Sequence, residues 1–299
     1  MKKIAVVTGG AGFIGSHLVE ALLAKGYVVS VVDSLVAGKR ENVPRGAELH
    51  VVDIRDTKTL PSLFARADVV FHLAALPRVQ YSIEHPVETH EVNVTGTVNV
   101  LATVGKGTRV ILASSAAVYG DLEAPILSEN LPVISVSPYG LHKYVSERYL
   151  ALANSLYGTE TVSLRFFNVY GPRLDPEGPY ALVIGRFLKL CKEGKPLTIV
   201  GDGTHTRDYI HTCDIVTALI TAGEATTIGK GEVINIGTGR GTSINELADA
   251  FGGPREYLPP RIEPKTSCAD ISCAKKLLSW EPTISIEDGI AELKKEYGL

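Results

Sequence analysis

The strand-to-helix turn near the start of the chain constrains the fold more than any other feature of the sequence. The apolar run Ile4–Thr8 leads into a glycine-rich stretch that includes Gly9, Gly12 and Gly15, and a helical pattern begins at Gly15. Glycines at this spacing permit a tight turn, a close approach of backbone to a pyrophosphate, and close packing of helix on sheet. The free N–H groups and the dipole at the helix start attract the phosphates. The turn therefore predicts a dinucleotide-binding β-α-β unit.

An acidic residue stands where such a unit holds the nucleotide ribose. Asp33 ends the next predicted strand, Val28–Asp33. A carboxylate at this place accepts hydrogen bonds from a 2′-hydroxyl and repels a 2′-phosphate. The sequence therefore predicts NAD as the cofactor in preference to NADP. Lys39 and Arg40 follow nearby and are interpreted as solvated loop charges.

The first half of the chain alternates short β-branched runs with helical patterns. The further predicted strands are Leu49–Val52, Val69–Leu73, Arg109–Ser114 and Val162–Arg165, and the predicted helices are Gly15–Lys25, Val87–Thr103 and Tyr139–Tyr157. Nearly continuous apolar strands are typical of parallel sheets covered on both faces. This alternation predicts an α/β fold, a doubly wound parallel (Rossmann) sheet with right-handed crossovers.

Prolines interrupt shorter elements in the second half. Helical patterns persist there at Leu182–Glu193, Asp214–Glu224, Ile244–Phe251, Ile271–Leu278 and Ile286–Tyr297. We predict an NAD-binding Rossmann domain over residues 1–168 and a smaller α/β, mainly substrate-binding portion over 169–299, from which the chain can cross back.

Composition excludes several classes of function. The 30 Lys and Arg against 33 Asp and Glu leave no excess of basic charge for a nucleic-acid partner. No apolar run approaches the roughly 18 residues of a membrane helix, and Ile4–Val7 is too short for a signal peptide, which predicts a cytoplasmic protein without a membrane partner. The 4 cysteines form no C-x-x-C pair, so we predict no metal site.

A second constellation points to proton chemistry. Tyr139 and Lys143 are spaced i, i+4 at the start of a predicted helix, so that their side chains share one helical face. A neighbouring cation, helped by a cationic nicotinamide, favours the phenolate of a tyrosine and makes it a base near neutral pH. Ser115 ends the fifth predicted strand, at the edge where doubly wound sheets place ligands.

With these residues assembled, the sequence resembles the extended short-chain dehydrogenase/reductase family over nearly its whole length. Within that family it is most similar to the UDP-glucose 4-epimerases, also called UDP-galactose 4-epimerases. The resemblance is carried by residues 8–16, 53–54, 72–75, 93, 114–120, 137–143, 165–172 and 201–210. Dehydratases of the family carry an Asp-Glu pair just beyond the strand-end hydroxyl residue, and related decarboxylases keep a glutamate there. This chain has Ala116 and Ala117 at those positions, which favours reversible oxidation at one carbon.

The resemblance implies an NAD-dependent epimerase that interconverts UDP-glucose and UDP-galactose at C4. Tyr139, Lys143 and Ser115 would be catalytic. The implied cofactor contacts are Gly9, Gly12, Phe13, Ile14, Gly15, Asp33, Ser34, Gly38, Asp53, Ile54, Leu73, Ala74, Ala75, Asn93, Ser115, Tyr139, Lys143 and Phe167. The implied UDP-sugar contacts are Ser115, Tyr139, Asn168, Arg207, Arg261 and Glu263.

Three further expectations follow from the resemblance. Ser267 is a small residue at the position that gates the C2 side of the sugar, which suggests that N-acetylated UDP-hexoses are also accepted. The helices Val87–Thr103 and Tyr139–Tyr157 imply a homodimer. Two other functions stay open, another nucleotide-sugar epimerase or oxidoreductase such as a UDP-glucuronate 4-epimerase, and a non-catalytic NAD-binding regulator.

Overall fold

A computed structural model describes residues 2–122, 124–176, 182–260 and 266–299. The strands are β1 (Ile4–Thr8), β2 (Val28–Asp33), β3 (Glu48–Val51), β4 (Val69–His72), β5 (Arg109–Ser115), β6 (Glu160–Phe166), β7 (Asn168–Tyr170), β8 (Leu197–Val200), β9 (Thr206–Arg207), β10 (Tyr209–His211), β11 (Lys230–Ile236), β12 (Thr242–Ser243), β13 (Arg255–Leu258) and β14 (Thr266–Ser267). The helices are α1 (Phe13–Ala24), α2 (Leu60–Phe64), α3 (Val79–Glu84), α4 (Pro86–His90), α5 (Gly96–Thr103), α6 (Pro138–Tyr157), α7 (Val183–Lys192), α8 (Thr212–Glu224), α9 (Ile244–Phe251), α10 (Ser272–Leu278) and α11 (Ile286–Tyr297).

The largest sheet in the described part of the chain has seven parallel strands in the order β11-β6-β5-β4-β1-β2-β3. Side chains alternate between its two faces, as the period of a strand requires. Val7 of β1 packs on one face of the sheet against α1 and α8. The adjacent Val6 packs on the other face against α2 and α5. Both faces are thus covered, and the predicted doubly wound α/β sheet is confirmed.

The parallel order brings the carboxyl ends of β1, β2, β4, β5 and β6 to one edge of the sheet. Ligands bind outside this edge in doubly wound folds. Thr8, Asp33, His72, Ser115 and Phe166 are the last residues of these strands. The glycine turn and the predicted catalytic serine therefore face the same space.

Several described elements differ from the sequence prediction, and two of these differences affect the large sheet and the helices beside the cleft. The predicted helix Val87–Thr103 is divided into α4, a π turn at Glu91–Thr95, and α5. Apolar periodicity continues across the π turn, which is why the sequence suggests one unbroken helix. The strand β11 was not predicted; it lies beyond residue 168 yet pairs with β6 in the large sheet.

The second portion has a core of its own. Phe187 and Leu188 of α7 pack with Leu247 and Phe251 of α9 and with Leu293 of α11. Smaller sheets join β7 to β10, β8 to β13, and β9 to β12 and β14. Among the described residues, none of the helices combines the length and apolar character needed to span a membrane.

Candidate functional site

A cleft of about 1530 Å³ opens at the carboxyl edge of the large sheet and runs along the second portion. Its walls contain the following predicted site residues: Gly9, Gly12, Phe13, Ile14, Gly15, Asp33, Ser34, Gly38, Asp53, Ile54, Leu73, Ala74, Ala75, Ser115, Tyr139, Lys143, Phe167, Asn168 and Arg207. Residues that are far apart in the chain thus meet at one site.

The glycine turn comes so close to its neighbours that side chains have no room. Gly9 adopts φ of +72°, and a Cβ there would lie 2.8 Å from the Ala74 nitrogen. A Cβ on Gly15 would lie 2.1 Å from the Gly9 carbonyl oxygen. Helix α1 begins directly after Gly12, which has no side chain to cap the first N–H groups. This bare helix start fits the diphosphate of a dinucleotide.

The Asp33 carboxylate is buried at the end of β2 and held by backbone. It accepts hydrogen bonds from the Ala11 nitrogen at 2.9 Å and from the Leu35 nitrogen at 2.8 Å. A Cβ on Gly38 would lie 2.7 Å from Asp33 Oδ1, so only glycine leaves this oxygen room. A carboxylate has about four acceptor sites, and Asp33 lines the cleft. The remaining acceptor sites fit the hydroxyls of a cofactor ribose.

Two predicted cofactor contacts are engaged with other parts of the protein. The Asp53 carboxylate is paired with Arg55, with Nη2 donating to Oδ2 at 2.8 Å, and this hydrogen bond lowers the pKa of Asp53. Asn93 lies in the π turn, where its amide accepts from the Leu76 nitrogen at 2.8 Å and donates to the Leu76 oxygen at 3.1 Å. Asn93 is absent from the described lining of the cleft, so it shapes the loop after β4.

The predicted catalytic residues come from two elements. Ser115 ends β5, and its hydroxyl accepts a hydrogen bond from the Ala117 nitrogen at 3.1 Å. Tyr139 lies in the first turn of α6, because Pro138 suits the first helical position and Ser137 caps it by accepting from Gly140 at 3.1 Å. Lys143 follows one turn later. These elements bring the three residues together at the cleft.

Lys143 reaches from α6 across to the large sheet. Its ammonium donates to the Ala113 oxygen of β5 at 2.7 Å and lies 5.9 Å from the centroid of the Tyr139 ring. Burial lowers the pKa of Lys143 to about 8, and the charge of Glu147 opposes this shift. The lysine is therefore still largely charged at neutral pH.

The Tyr139 phenol is buried at the cleft. Burial raises the pKa of Tyr139 to about 12, and a hydrogen bond with Ser115 and the charge of Arg78 act against this rise. Burying a phenolate is costly, so the protein groups alone favour the neutral phenol. In the sequence analysis, a phenolate near neutral pH is ascribed to Lys143 together with a cationic nicotinamide, and that interpretation stays a prediction.

The residues predicted to contact the sugar nucleotide line the cleft from the part of the chain after Phe167. Asn168 begins β7, and its amide donates to the Asp208 oxygen at 3.0 Å. Arg207 in β9 donates to the Thr206 oxygen at 3.0 Å and pairs in register with Ser267 of β14, which also lines the cleft. The predicted contacts Arg261 and Glu263 lie outside the described residues.

Three arginines in the cleft wall were missed by the sequence analysis. They are Arg78, Arg173 and Arg55, the last already described as the partner of Asp53. Arg78 precedes α3, and its charge acts on Tyr139. Arg173 follows β7 with φ of +64° and donates to the Ser16 hydroxyl of α1 at 2.9 Å. Arg173 directly follows the resemblance motif that ends at Pro172, which is the signal that could have identified it. Arg78 carries no such signal because its position depends on the packing of the loop after β4.

Comparisons with known proteins show the family of the chain. The model of the family described as "NAD dependent epimerase/dehydratase family" matches residues 5–237. The chain is 39% identical over 305 residues to a UDP-glucose 4-epimerase of Mycolicibacterium smegmatis, with 96% of each chain covered.

Solved structures share the fold over nearly the whole length. The UDP-glucose 4-epimerase of Thermotoga maritima, solved with UDP-glucose, has a TM-score of 0.91 and 38% identity and covers 99% of this chain and 98% of its own. The UDP-glucuronic acid 4-epimerase of Bacillus cereus, solved with UDP-glucuronic acid and NAD, has a TM-score of 0.89 and 33% identity, with 99% of each chain covered.

Proposed function

The chain belongs to the NAD dependent epimerase/dehydratase family, and from this premise we propose that it interconverts UDP-glucose and UDP-galactose at C4 through a 4-keto intermediate. It is a nucleotide-sugar epimerase with NAD as its cofactor, as the sequence predicts. The observation that carries the proposal is the pair Ala116 and Ala117, which line the cleft directly after Ser115. Methyl groups exchange no protons, so these positions supply no acid or base for dehydration, and reversible oxidation remains.

Tyr139 is the proposed base. Its phenol oxygen takes the proton of the C4 hydroxyl and later returns a proton to the C4 oxygen, while the Ser115 hydroxyl hydrogen-bonds the same oxygen. NAD, when bound, would supply the acceptor for the C4 hydride and a positive charge that favours the phenolate. Lys143 would hold the nicotinamide ribose, and its ammonium adds a second positive charge near Tyr139.

Inversion requires that the keto sugar turns over without leaving the cleft. Binding energy remote from the ring can hold the nucleotide while the sugar moves. Arg207 and Asn168 line the sugar-nucleotide side of the cleft, and the guanidinium fork of Arg207 suits phosphate oxygens. We propose these two residues as the diphosphate contacts, with Arg261 and Glu263 as predicted additions.

A panel of UDP-sugars tests the substrate. We expect purified protein to convert UDP-galactose to UDP-glucose, with UDP-N-acetylglucosamine as a second substrate because Ser267 leaves a small side chain at the cleft. UDP-glucuronate is included in the panel as the alternative substrate. Chromatography of the products gives the rates, and the Tyr139→Phe chain controls for contaminating epimerase. Rapid turnover of UDP-glucuronate without turnover of UDP-galactose would replace the proposal with a UDP-glucuronate 4-epimerase.

The assembly is proposed to be a homodimer joined through α6 and the divided helix of residues 86–103. Leu152 and Leu156 of α6 are 48% and 65% exposed, and Val87 of α4 is 71% exposed. We expect the wild type to be a dimer by light scattering at micromolar concentration and the double variant Leu152→Glu/Leu156→Glu to be a monomer, because charges are costly in an apolar interface. Tyr257→Glu, at a 54% exposed site on β13, serves as the matched control. A monomeric wild type contradicts the dimer.

A further inference from the structure

A buried ion pair lies behind the cleft. Glu147 of α6 and Arg165 of β6 have side chains that are 2% and 4% exposed. Arg165 binds the carboxylate with two bonds, from Nε to Oε1 at 2.8 Å and from Nη2 to Oε2 at 2.7 Å. Such a pair is strongly held once formed, but removing two charges from water is expensive. Well-packed apolar residues would hold α6 and β6 together at least as well. Stability alone therefore does not explain why a buried ion pair is present here.

Glu147 also links the elements that carry the site. Ser114 of β5 donates its hydroxyl to Glu147 Oε1 at 2.5 Å, and Ser114 directly precedes Ser115. Arg165 lies on β6, which leads to Phe167 and Asn168. One carboxylate thereby fixes α6 against β5 and β6.

The pair extends to a fourth element. The guanidinium of Arg165 lies 4.8 Å from the centroid of the Tyr119 ring, and the Tyr119 hydroxyl donates to Asn235 Oδ1 of β11 at 2.8 Å. The carboxylate therefore belongs to an ordered polar network, and its charge is held at a fixed place.

Besides its hydrogen bonds, Glu147 has an electrostatic link to Lys143. Glu147 lies one helical turn after Lys143, on the same face of α6. The titratable groups that act on Lys143 or feel its charge are Tyr139, His142 and Glu147 on its own helix and His72 at the end of β4. From β5 it receives only the carbonyl of Ala113 within the described contacts. Of these groups, Glu147 is the one whose charge favours the ammonium form of the lysine.

We propose that Glu147 is a positioning residue of the epimerase site, whose negative charge keeps Lys143 protonated at working pH and whose hydrogen bonds hold α6 in place against β5 and β6. The inference rests on the proposed function, in which Lys143 must be a cation to hold the cofactor ribose and to favour the Tyr139 phenolate. Arg165 serves this role indirectly, because it fixes the orientation of the carboxylate.

Two conservative variants separate charge from shape. Glu147→Gln keeps the length of the side chain and an oxygen for Ser114 but removes the charge. Glu147→Asp keeps the charge and shortens the side chain. If Glu147 acts through its charge, the titration midpoint of Lys143 changes more in Glu147→Gln than in Glu147→Asp. If Glu147 is only structural, Glu147→Asp changes both the midpoint and turnover more than Glu147→Gln does.

The titration is read directly by carbon NMR on protein labelled with 13C at the lysine ε-carbon. The Lys143 signal is assigned by its loss in Lys143→Met. We expect its titration midpoint to fall by about one pH unit in Glu147→Gln and to stay near the wild-type value in Glu147→Asp. Turnover, which requires the ammonium, is expected to decline on the alkaline side from a correspondingly lower pH in Glu147→Gln.

Glu224→Gln is the matched control. Glu224 pairs with Lys25 and Tyr27 away from the cleft, so its loss should leave the Lys143 signal unchanged. The uncompensated charge of Arg165 could prevent Glu147→Gln from folding. In that case the double variant Glu147→Gln/Arg165→Met removes both buried charges, and the titration midpoint of Lys143 is expected to fall in it as well.

An unchanged Lys143 midpoint in the uncharged variant, or an equal shift in Glu147→Asp, overturns the inference even if the wild type epimerises UDP-sugars. A wild type that turns over none of the UDP-sugars, while the midpoint shifts as expected, overturns the proposed function and leaves the electrostatic role of Glu147 standing.

Discussion

Replacing Tyr139 by phenylalanine is expected to lower epimerase turnover by about 10²- to 10⁴-fold, the range that a positioned acid–base group contributes. The phenol is 8% exposed and lies beside Ser115 at the cleft. Phenylalanine fills the same space without the oxygen that exchanges the C4 proton. Because burial already favours the neutral phenol, removing its hydroxyl should not unfold the protein. Turnover is measured by coupled conversion of UDP-galactose, and bound NAD by absorbance after denaturation.

Tyr149→Phe provides the control for this experiment. Tyr149 lies on the same helix with its side chain 41% exposed, so the loss of its hydroxyl should leave both turnover and bound NAD unchanged. A Tyr139→Phe chain that turns over at the wild-type rate would refute the role of Tyr139 as base. Loss of NAD together with turnover would instead indicate a mainly structural role.

The pH dependence of turnover should reflect both groups of the pair. The pKa of Tyr139 is raised to about 12 and that of Lys143 is lowered to about 8, so without a cofactor the phenolate and the ammonium coexist only in a small fraction of the protein. The positive charge of bound NAD favours the phenolate, so turnover is expected to rise with pH as Tyr139 ionises in the NAD complex and to fall once Lys143 loses its proton. Initial rates of UDP-galactose conversion as a function of pH measure both limbs.

The substitution Gly15→Ala is expected to weaken NAD binding by roughly 10- to 100-fold, the equivalent of about 1–3 kcal/mol of overpacking. The new methyl group would lie 2.1 Å from the Gly9 oxygen and 2.8 Å from Gly10 Cα. Both obstacles are backbone atoms of the same turn, so the turn itself must move. The turn then no longer presents its N–H groups to the diphosphate. Titration of the stripped protein with NAD, followed by calorimetry, measures the change.

Gly105→Ala is the matched control for the glycine turn. Gly105 lies outside the cleft lining, and the nearest atom to an added Cβ is the Ala65 oxygen at 3.3 Å. NAD affinity in this variant should equal that of the wild type. Equal affinity in Gly15→Ala would mean that the cofactor does not contact this turn.

Much of the nucleotide-binding half could be predicted because its signals are local. The strands β1 and β2 have the predicted bounds, since each is a short β-branched run followed by a residue type that the turn or the ribose requires. Asp33 was identifiable because it ends the strand that follows the glycine turn, where the ribose-binding acid is expected. Ala116 and Ala117 indicated the epimerase branch of the family, because alanine side chains cannot serve as the acid and base of a dehydratase.

Other features escaped because they depend on residues distant in sequence. The strand β11 has an ordinary pattern, and only its pairing with β6 makes it part of the large sheet. The π turn at Glu91–Thr95 contains Asn93, whose side chain hydrogen-bonds the loop after β4. A helical sequence pattern carries no information about this contact. Arg78 likewise reaches the part of the cleft that contains Tyr139 through packing alone.

The sequence by itself determined the α/β sheet and NAD as the cofactor, and it predicts the glycine turn and the proton-exchanging groups, because each depends on residue type and short-range spacing. Only the tertiary structure decided how readily Tyr139 and Lys143 ionise. Burial raises the pKa of Tyr139 and lowers that of Lys143, and the carboxylate of Glu147 opposes the second shift. Desolvation depends on everything packed around a group, so it is a property of the folded chain and not of any motif.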